Sequence, residues 1–280
     1  MFKLFKNNFK TTNDCIILAT PLIIFLSILG WYFNYALETA DNIPKLILAG
    51  TTLLVMGCGF LSAWMYMTKK TLQLANQVFI FDKDRARAFR ELIMSLPRGI
   101  GKLFLPFVGI TILLIAIYSL AITGATFIIV KFIGTIDINN LFISKDLLVS
   151  SQELFNELLE LPQNEIIVIN CWYLLVSAIT AIISFLTMFL VPEIVYSEKN
   201  PLKAIIQSLK KIVITFPKSL LLFLYIYFLL ITSAILNTIL MFNPILYFFV
   251  LVIHYYLIIY IVVLLFTYYE QTFIKSNKEN

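Results

Sequence analysis

The stretch SLLLFLYIYFLLITSAILNTILMFNPILYFFVLVIHYYLIIYIVVLLFTYY (Ser219–Tyr269) decides the class of the fold. None of its 51 residues is Asp, Glu, Lys or Arg. A transmembrane helix needs about 20 apolar residues, so the stretch is too long for one span and suits two. Its only credible turn is MFNP (Met241–Pro244), because the residue before a proline is disfavoured in the helical conformation. We therefore predict two spans, 219–241 and 244–269.

Four more charge-free runs occur in the chain, and each is long enough for one transmembrane helix. The composition agrees, with 60% hydrophobic and 13% charged residues, whereas soluble domains carry about 25% charged residues. We predict an all-α polytopic membrane protein, a single integral domain over 1–280, with six transmembrane helices plus amphipathic interfacial helices. The predicted spans are 15–37, 46–68, 103–130, 166–192, 219–241 and 244–269.

The basic residues predict the orientation of these spans. All but three of the 21 Lys and Arg residues fall on one side, the exceptions being Lys45, Lys131 and Lys145. Because cytoplasmic segments are enriched in Lys and Arg, we predict a multi-pass membrane protein with both termini cytoplasmic. The first ten residues, MFKLFKNNFK, resemble the basic region of a signal peptide. No cleavage motif follows them, so we expect the first span to be uncleaved.

Two cytoplasmic segments share one design. In the second, Asn200 is a good N-cap and Pro201 a good first helical residue, and apolar residues then recur at helical spacing. This pattern predicts an amphipathic helix over 201–216 in the membrane interface. The segment 84–96 follows the same plan, and both segments run into a proline followed by a base. We interpret the pair as an internal parallel repeat; chance similarity between two basic helices that flank spans is the alternative.

The basic residues of these segments are candidate ligands for anionic lipid or for partner proteins. Each Lys or Arg near an anionic membrane surface contributes about 1 kcal/mol. The alternative is that they serve only to set the topology. The candidates are Arg85, Arg87, Arg90, Arg98, Lys203, Lys210, Lys211 and Lys218.

A candidate polar site inside the membrane is centred on His254, the only histidine of the chain. An ionisable residue within a span is a functional hypothesis by default. Asn170 and Asn237 complete this candidate site. The alternative is a neutral, packed histidine bonded to the hydroxyl of a neighbouring tyrosine, which would be one of Tyr255, Tyr256 and Tyr260.

Two further signals favour structural roles. Glu193 follows Pro192 where the fourth span meets the cytoplasm. We expect it to bond backbone groups that the proline frees, or to pair with a base of the cytoplasmic helices. In the outer loop, Ser150 and Glu153 form a capping box, which predicts a short helix there.

The motifs that usually carry membrane enzymology are missing from the sequence. There is no Walker loop, no HExxH, no GxSxG and no cluster of His and Cys at metal-ligand spacing. The three cysteines form no CxxC pair, and we interpret them as small apolar residues. We therefore expect no enzymatic activity, no cofactor, no metal and no nucleic-acid partner.

The stretch VPEIVYSEKNPLKAIIQSLKKI (Val191–Ile212) resembles poorly characterised bacterial six-span inner-membrane proteins of the YciC type. It is also similar to the membrane domain fused to some glycerophosphoryl diester phosphodiesterases. The resemblance is carried by Pro192, Glu198, Ala204, Ser208, Leu209 and Lys210. The fused phosphodiesterase domain is absent from the 280 residues, so the resemblance gives no indication of an enzymatic activity. It implies residence in the bacterial inner (cytoplasmic) membrane and little about mechanism.

The leading functional hypothesis is a non-catalytic scaffold or accessory protein. Its basic cytoplasmic face would engage anionic membrane lipid or partners, either other membrane proteins or a second copy of the chain. The alternative is a transporter or permease subunit for a small or amphipathic solute, with a polar cavity near His254. A membrane enzyme, the third class, lacks a defensible set of residues.

Overall fold

The computed structural model describes residues 2–39, 42–75, 82–134, 163–240 and 243–275. Every regular element in these ranges is helical, which confirms the predicted all-α fold. The helices are α1 (Phe2–Asp14), α2 (Ala19–Thr39), α3 (Ile43–Ala75), α4 (Asp82–Phe132), α5 (Gln163–Leu186), α6 (Leu190–Tyr196), α7 (Pro201–Ile214), α8 (Phe216–Leu240) and α9 (Pro244–Tyr269). A 3₁₀ turn at Ile16–Leu18 joins α1 to α2, and a π-helical turn at Glu270–Lys275 follows α9.

Within the described ranges, six stretches are long and apolar enough to cross a membrane. They are Ile16–Thr39, Ile43–Ala75, Ala86–Phe132, Glu165–Tyr196, Phe216–Leu240 and Ile245–Ile274. At most 28% of the apolar window of any of them is buried inside the protein. Apolar surface of this extent is far beyond what soluble monomers expose, and a bilayer covers it. The chain is therefore a multi-pass integral membrane protein.

The chain forms two compact units, and the smaller one covers 112–185. It contains the second half of α4 and nearly all of α5, where the indole N–H of Trp172 donates to Thr126 Oγ1 at 3.4 Å. Gly134, just past α4, has φ 141°, a conformation that favours glycine. The helix predicted around Ser150 lies outside the described residues, and the single-domain organisation stays a prediction.

The larger unit covers 1–111 and 186–280. Its helices pack as α1 on α9, α8 on α9, α2 on α3 and α6 on α7. Hydrogen bonds between distant segments fasten it: Trp64 Nε1 donates to the carbonyl of Leu18 at 3.0 Å, and Asn8 Nδ2 donates to the carbonyl of Tyr260 at 3.2 Å. All the sites discussed below, with the exception of Asn170, belong to this unit.

Helix α1 is an element that the sequence patterns above do not predict. The Phe5 ring stacks on Tyr225 at 4.1 Å between centroids, and Phe9 meets Tyr256 at 5.7 Å. Tertiary contact with α8 and α9 thus holds this basic segment in a helical form. A signal was present in the sequence, since Phe5 and Phe9 are four residues apart and share a helix face.

Helix α4 differs from the predicted plan of an amphipathic helix, a proline break and a separate span. It continues for 51 residues with Pro97 and Pro106 inside it. Gly99 brings α4 so close to α3 that an added Cβ would lie 2.7 Å from the Ser62 carbonyl oxygen. We attribute the continuity to this packing, which holds the segment on both sides of Pro97 against one neighbour.

The second copy of the proposed repeat consists of two separate helices, whereas the first copy is one continuous helix. Helix α7 ends at Ile214 and α8 begins at Phe216, so Pro217 lies in the first turn of α8, where its missing N–H is tolerated. At the other end, Asn200 Oδ1 accepts from the N–H groups of Leu202 and Lys203. Asn200 is thus the N-cap, as the sequence predicts.

The orientation of α7 fits an interfacial helix. Its small residues Ala204 and Ser208 are buried against the protein, whereas Leu202, Ile206 and Val213 of its apolar stripe are exposed. Ile212 of the same stripe is buried against the protein, so α7 packs on the bundle along one edge of the stripe and exposes the rest, which suits a helix lying in the membrane surface. At its start, Pro201 packs on α4, where a Cβ added to Gly109 would lie 2.7 Å from the proline ring.

Candidate functional site

A polar cavity of about 220 Å³ lies where α3, α4 and the end of α6 meet. Three lysines from three segments line it, and we call it the lysine pocket: Lys69, Lys102 and Lys199. Tyr66, Tyr196 and Ser197 add hydroxyl groups to its wall. No acidic residue belongs to the described lining, so positive charge dominates the cavity.

Two of the lysines are held in place by aromatic rings and polar groups. Lys69 Nζ donates to the carbonyl of Val195 at 2.9 Å and lies 4.6 Å from the centroid of the Tyr196 ring. Lys102 Nζ donates to Tyr66 Oη at 3.5 Å. An ammonium has three N–H donors, and the contacts found in the described part of the chain use one on each lysine. Both lysines therefore keep donors for an anion.

Acidic groups lie near the pocket but outside its described lining. Glu270 Oε2 accepts from the Tyr196 hydroxyl at 3.3 Å, and its charge also interacts with Lys69. Glu91 Oε1 lies 3.4 Å from Lys70 Nζ, in an ion pair outside the lining. The cavity thus combines donors with three lysines and no acid in its described lining, an arrangement that attracts a phosphate or carboxylate.

A buried ionic group, which we call the Glu193 cluster (Glu193, Lys211 and Tyr269), adjoins the pocket. Glu193 is fully buried, and its Oε2 accepts from Lys211 Nζ and from the Tyr269 hydroxyl, both at 2.6 Å. Lys211 Nζ also donates to Tyr269 Oη at 2.5 Å. Ser197 Oγ lies 3.2 Å from Tyr269 Oη, which connects the cluster to the pocket wall.

The Glu193 cluster is structural in character. It ties together α6, α7 and α9, whose residues are up to 76 positions apart. Glu193 Oε1 has no hydrogen-bond partner among the described residues. A buried carboxylate is costly unless it is paired, so Lys211 is the contact that makes this burial tolerable. The expected pairing of Glu193 with a base of the amphipathic helices is thus observed, and the base is Lys211.

The predicted basic ligands are placed as follows. The side chain of Arg85 lies outside the described part of the structure. Lys211 is paired with Glu193 at 2.6 Å, and its role as a ligand for lipid or a partner stays a prediction. The remaining predicted residues are exposed and do not line the lysine pocket: Arg87, Arg90, Arg98, Lys203, Lys210 and Lys218.

The intramembrane candidates are not gathered in the way that the sequence suggests. His254 Nδ1 lies 3.1 Å from Ser233 Oγ on α8, so its partner is a serine and not one of the neighbouring tyrosines. Asn237 is exposed on α8. Asn170 is exposed on α5, in the smaller unit. A polar site that they share stays a prediction.

The lysine pocket is the feature that sequence reasoning missed. Its lysines come from segments that are 33 and 97 positions apart, and no local pattern relates them. A weak signal existed, because Lys69 follows the second apolar run directly and Lys102 directly precedes the third. Two bases that flank consecutive spans on the same side lie at a similar depth.

Cys15 provides a test of the packing between α1 and α2. It is fully buried, and burial, with a smaller effect from the Asp14 charge, raises the pKa of its thiol to about 12. Because the thiolate is the reactive form, we expect alkylation of a variant with Cys58 and Cys171 replaced by serine to be slow at pH 8. Its rate should rise towards pH 12. Mass spectrometry after maleimide treatment measures this, and rapid labelling at pH 8 without detergent denaturation would contradict the packing.

The fold defines the class of the protein as a multi-pass integral membrane protein with six membrane-spanning helices. No protein-family model, curated protein or solved structure matches the chain. Among the described residues, no group of three or more His, Cys, Asp or Glu side chains is placed to hold a metal ion. The lysine pocket is therefore the feature of the structure that points to a function.

Proposed function

We propose that this protein is a non-catalytic membrane scaffold or accessory protein that binds the headgroup of an anionic phospholipid in the lysine pocket. The observation that carries the proposal is the convergence of Lys69, Lys102 and Lys199 on one cavity whose described lining contains no acid. Basic pockets between transmembrane helices on the cytoplasmic side are typical sites for anionic headgroups. The predicted orientation places the pocket on that side.

The chemistry of the pocket suits a phosphate. Ammonium groups donate short, charge-assisted hydrogen bonds to phosphate oxygens. The hydroxyl of Tyr66, on the pocket wall, accepts from Lys102 Nζ, so its own proton can serve as a neutral donor. The Glu193 cluster behind Ser197 holds this wall in position, so the donors are arranged before the ligand arrives.

Several parts of this proposal come from the sequence. They are the inner-membrane location, the cytoplasmic termini, the resemblance to YciC-type proteins and the absence of catalysis. A transporter or permease role stays the alternative. Solute flux in proteoliposomes that is abolished by His254→Ala would favour that alternative over the scaffold.

The test of the proposal is a charge-neutralised pocket. We expect Lys69→Gln/Lys102→Gln/Lys199→Gln to lower the affinity of the lysine pocket for phosphatidylglycerol by at least about tenfold, so that one bound lipid is lost, since each lysine contributes about 1 kcal/mol near anionic lipid. Native mass spectrometry of protein from nanodiscs with equal phosphatidylglycerol and phosphatidylethanolamine measures the retained lipid.

The matched control removes the same charge from the exposed surface. Lys203→Gln/Lys210→Gln/Lys218→Gln changes three exposed lysines that lie outside the pocket lining. We expect this variant to retain the same number of bound lipids as the unmodified protein, because exposed charges are screened. Equal losses in the two triple variants would show general surface attraction and would overturn the proposal.

A further inference from the structure

A second cavity, of about 810 Å³, lies between α1, α8 and α9. We call it the α1 groove. Its volume is within the range of about 300 to 1,000 Å³ that is typical of ligand sites. One wall is formed by Phe5, Lys6 and Phe9 of α1. The other walls come from residues 221–229 of α8 and 253–260 of α9, which run for about 12 and 10 Å along the helices at 1.5 Å per residue.

The surface of the α1 groove is apolar apart from one charge and three hydroxyls. Two of these hydroxyls bond each other, since Tyr225 Oη lies 2.9 Å from Tyr260 Oη. The third, Tyr256 Oη, donates to Asn13 Oδ1 at 2.9 Å. With the hydroxyls satisfied within the protein, the interior of the groove suits a hydrocarbon chain.

Lys6 is the one charged residue in the described lining of the α1 groove. Its side chain is exposed, and no ion pair or hydrogen bond involves its ammonium within the described ranges. It lies between Phe5 and Phe9, whose rings contact the tyrosines of α8 and α9. The apolar walls continue past these tyrosines to Phe228 and Leu229. A cation beside a long apolar channel matches an amphiphile with an anionic head and an apolar tail.

The outer edge of the α1 groove faces the bilayer. Leu224, Phe228 and Ile253 are 53%, 66% and 55% exposed, and all three lie in membrane-spanning helices. A groove that opens on lipid takes its occupant from the lipid. Among membrane amphiphiles, a phospholipid supplies both the chain and, near Lys6, a phosphate.

We propose that the α1 groove binds one anionic phospholipid, with an acyl chain along α8 and α9 and its phosphate beside Lys6. This site is separate from the lysine pocket and shares no residue with it. Helix α1 is the element that makes it specific, because it supplies both the charge and the Phe5 and Phe9 walls. The proposal does not depend on the function proposed above.

The experiment uses the full chain in nanodiscs with equal phosphatidylglycerol and phosphatidylethanolamine, and native mass spectrometry of the retained lipid. Leu224→Trp fills the groove, whereas Leu230→Trp places the same side chain on the same helix outside the lining. We expect Leu224→Trp to abolish one bound lipid and Leu230→Trp to keep it. Lys6→Gln should lower the preference for phosphatidylglycerol by about fivefold, and Lys10→Gln, on the same helix, should leave it unchanged.

A second measurement does not depend on a bulky variant. Phosphatidylglycerol with a photoreactive group on its acyl chain should label the unmodified protein within 221–229 or 253–260. The lysine-pocket triple variant should show the same labelling, which separates this site from the pocket. Equal lipid retention in Leu224→Trp and Leu230→Trp, labelling elsewhere, or recovery of a free fatty acid as the retained molecule would each overturn the proposal.

Discussion

Replacement of Lys211 by methionine is expected to destabilise the protein by about 3 to 5 kcal/mol, the cost of removing one partner from a buried ion pair. Glu193 stays fully buried in this variant, and Tyr269 is then its remaining described hydrogen-bond donor. Methionine keeps the length and apolar stem of lysine, so the loss reports the charge and not a cavity. Thermal unfolding in mild detergent should show a decrease of roughly 10 °C in the melting temperature.

The reciprocal variant should be milder. The side chain of Lys211 is 22% exposed, whereas that of Glu193 is fully buried. After Glu193→Gln the ammonium can still reach water, so we expect a smaller decrease in melting temperature. The double variant Glu193→Gln/Lys211→Met should recover part of the loss, because partners in one ion pair couple strongly.

Lys210→Met is the matched control, since Lys210 is the neighbouring residue and is exposed. Its melting temperature should stay close to that of the unmodified protein. If Lys210→Met and Lys211→Met unfolded at the same temperature, the ion pair with Glu193 would not be a determinant of stability.

Gly99→Leu should be the second severe substitution. A Cβ at this position would lie 2.7 Å from the Ser62 carbonyl oxygen, 2.8 Å from Tyr66 Cβ and 2.9 Å from Ala63 Cα. These atoms belong to the backbone of α3 or are rigidly attached to it, so the two helices must separate. Overpacking of this kind costs about 1 to 3 kcal/mol, and sometimes more. Because Tyr66 and Lys102 face each other across this contact, the variant should also lose lipid from the lysine pocket.

The matched control for this substitution lies two residues further along α4. A Cβ added to Gly101 meets nothing within 4 Å, so Gly101→Leu should be neutral or slightly stabilising through the higher helix propensity of leucine. Thermal unfolding and lipid retention of the two variants, compared side by side, test the close contact. Equal behaviour of Gly99→Leu and Gly101→Leu would show that α3 and α4 are further apart than described.

The number of spans could be predicted from sequence because the bilayer imposes its thickness on every span. A charge-free run of about 20 residues has few alternatives to a transmembrane helix. The start of α7 was equally predictable, since Asn200 and Pro201 act locally on their own helix. Signals that act over a few residues, or over one bilayer thickness, are readable without tertiary structure.

The features that the sequence did not predict depend on contacts between distant segments. The periodicity of α7 places Lys210 and Lys211 on the same polar face, yet only the structure shows that one of them reaches a buried acid 18 residues earlier in the chain. Likewise, Pro97 predicts a break that packing of Gly99 on α3 overrides. Helix α1 is held by Tyr225 and Tyr260, more than 200 residues away. No local pattern encodes such partners.

The Glu193 cluster also has a consequence for biosynthesis. Its members enter the chain in the order Glu193, Lys211 and Tyr269, and the last of them ends α9. Until that helix is synthesised and inserted, the carboxylate lacks one of its two hydrogen-bond donors, and the pair formed by α6 and α7 lacks its polar contact with α9. The contact that joins the three helices therefore closes last, so a chain that stalls before α9 keeps this carboxylate without one of its donors and open to quality-control proteases.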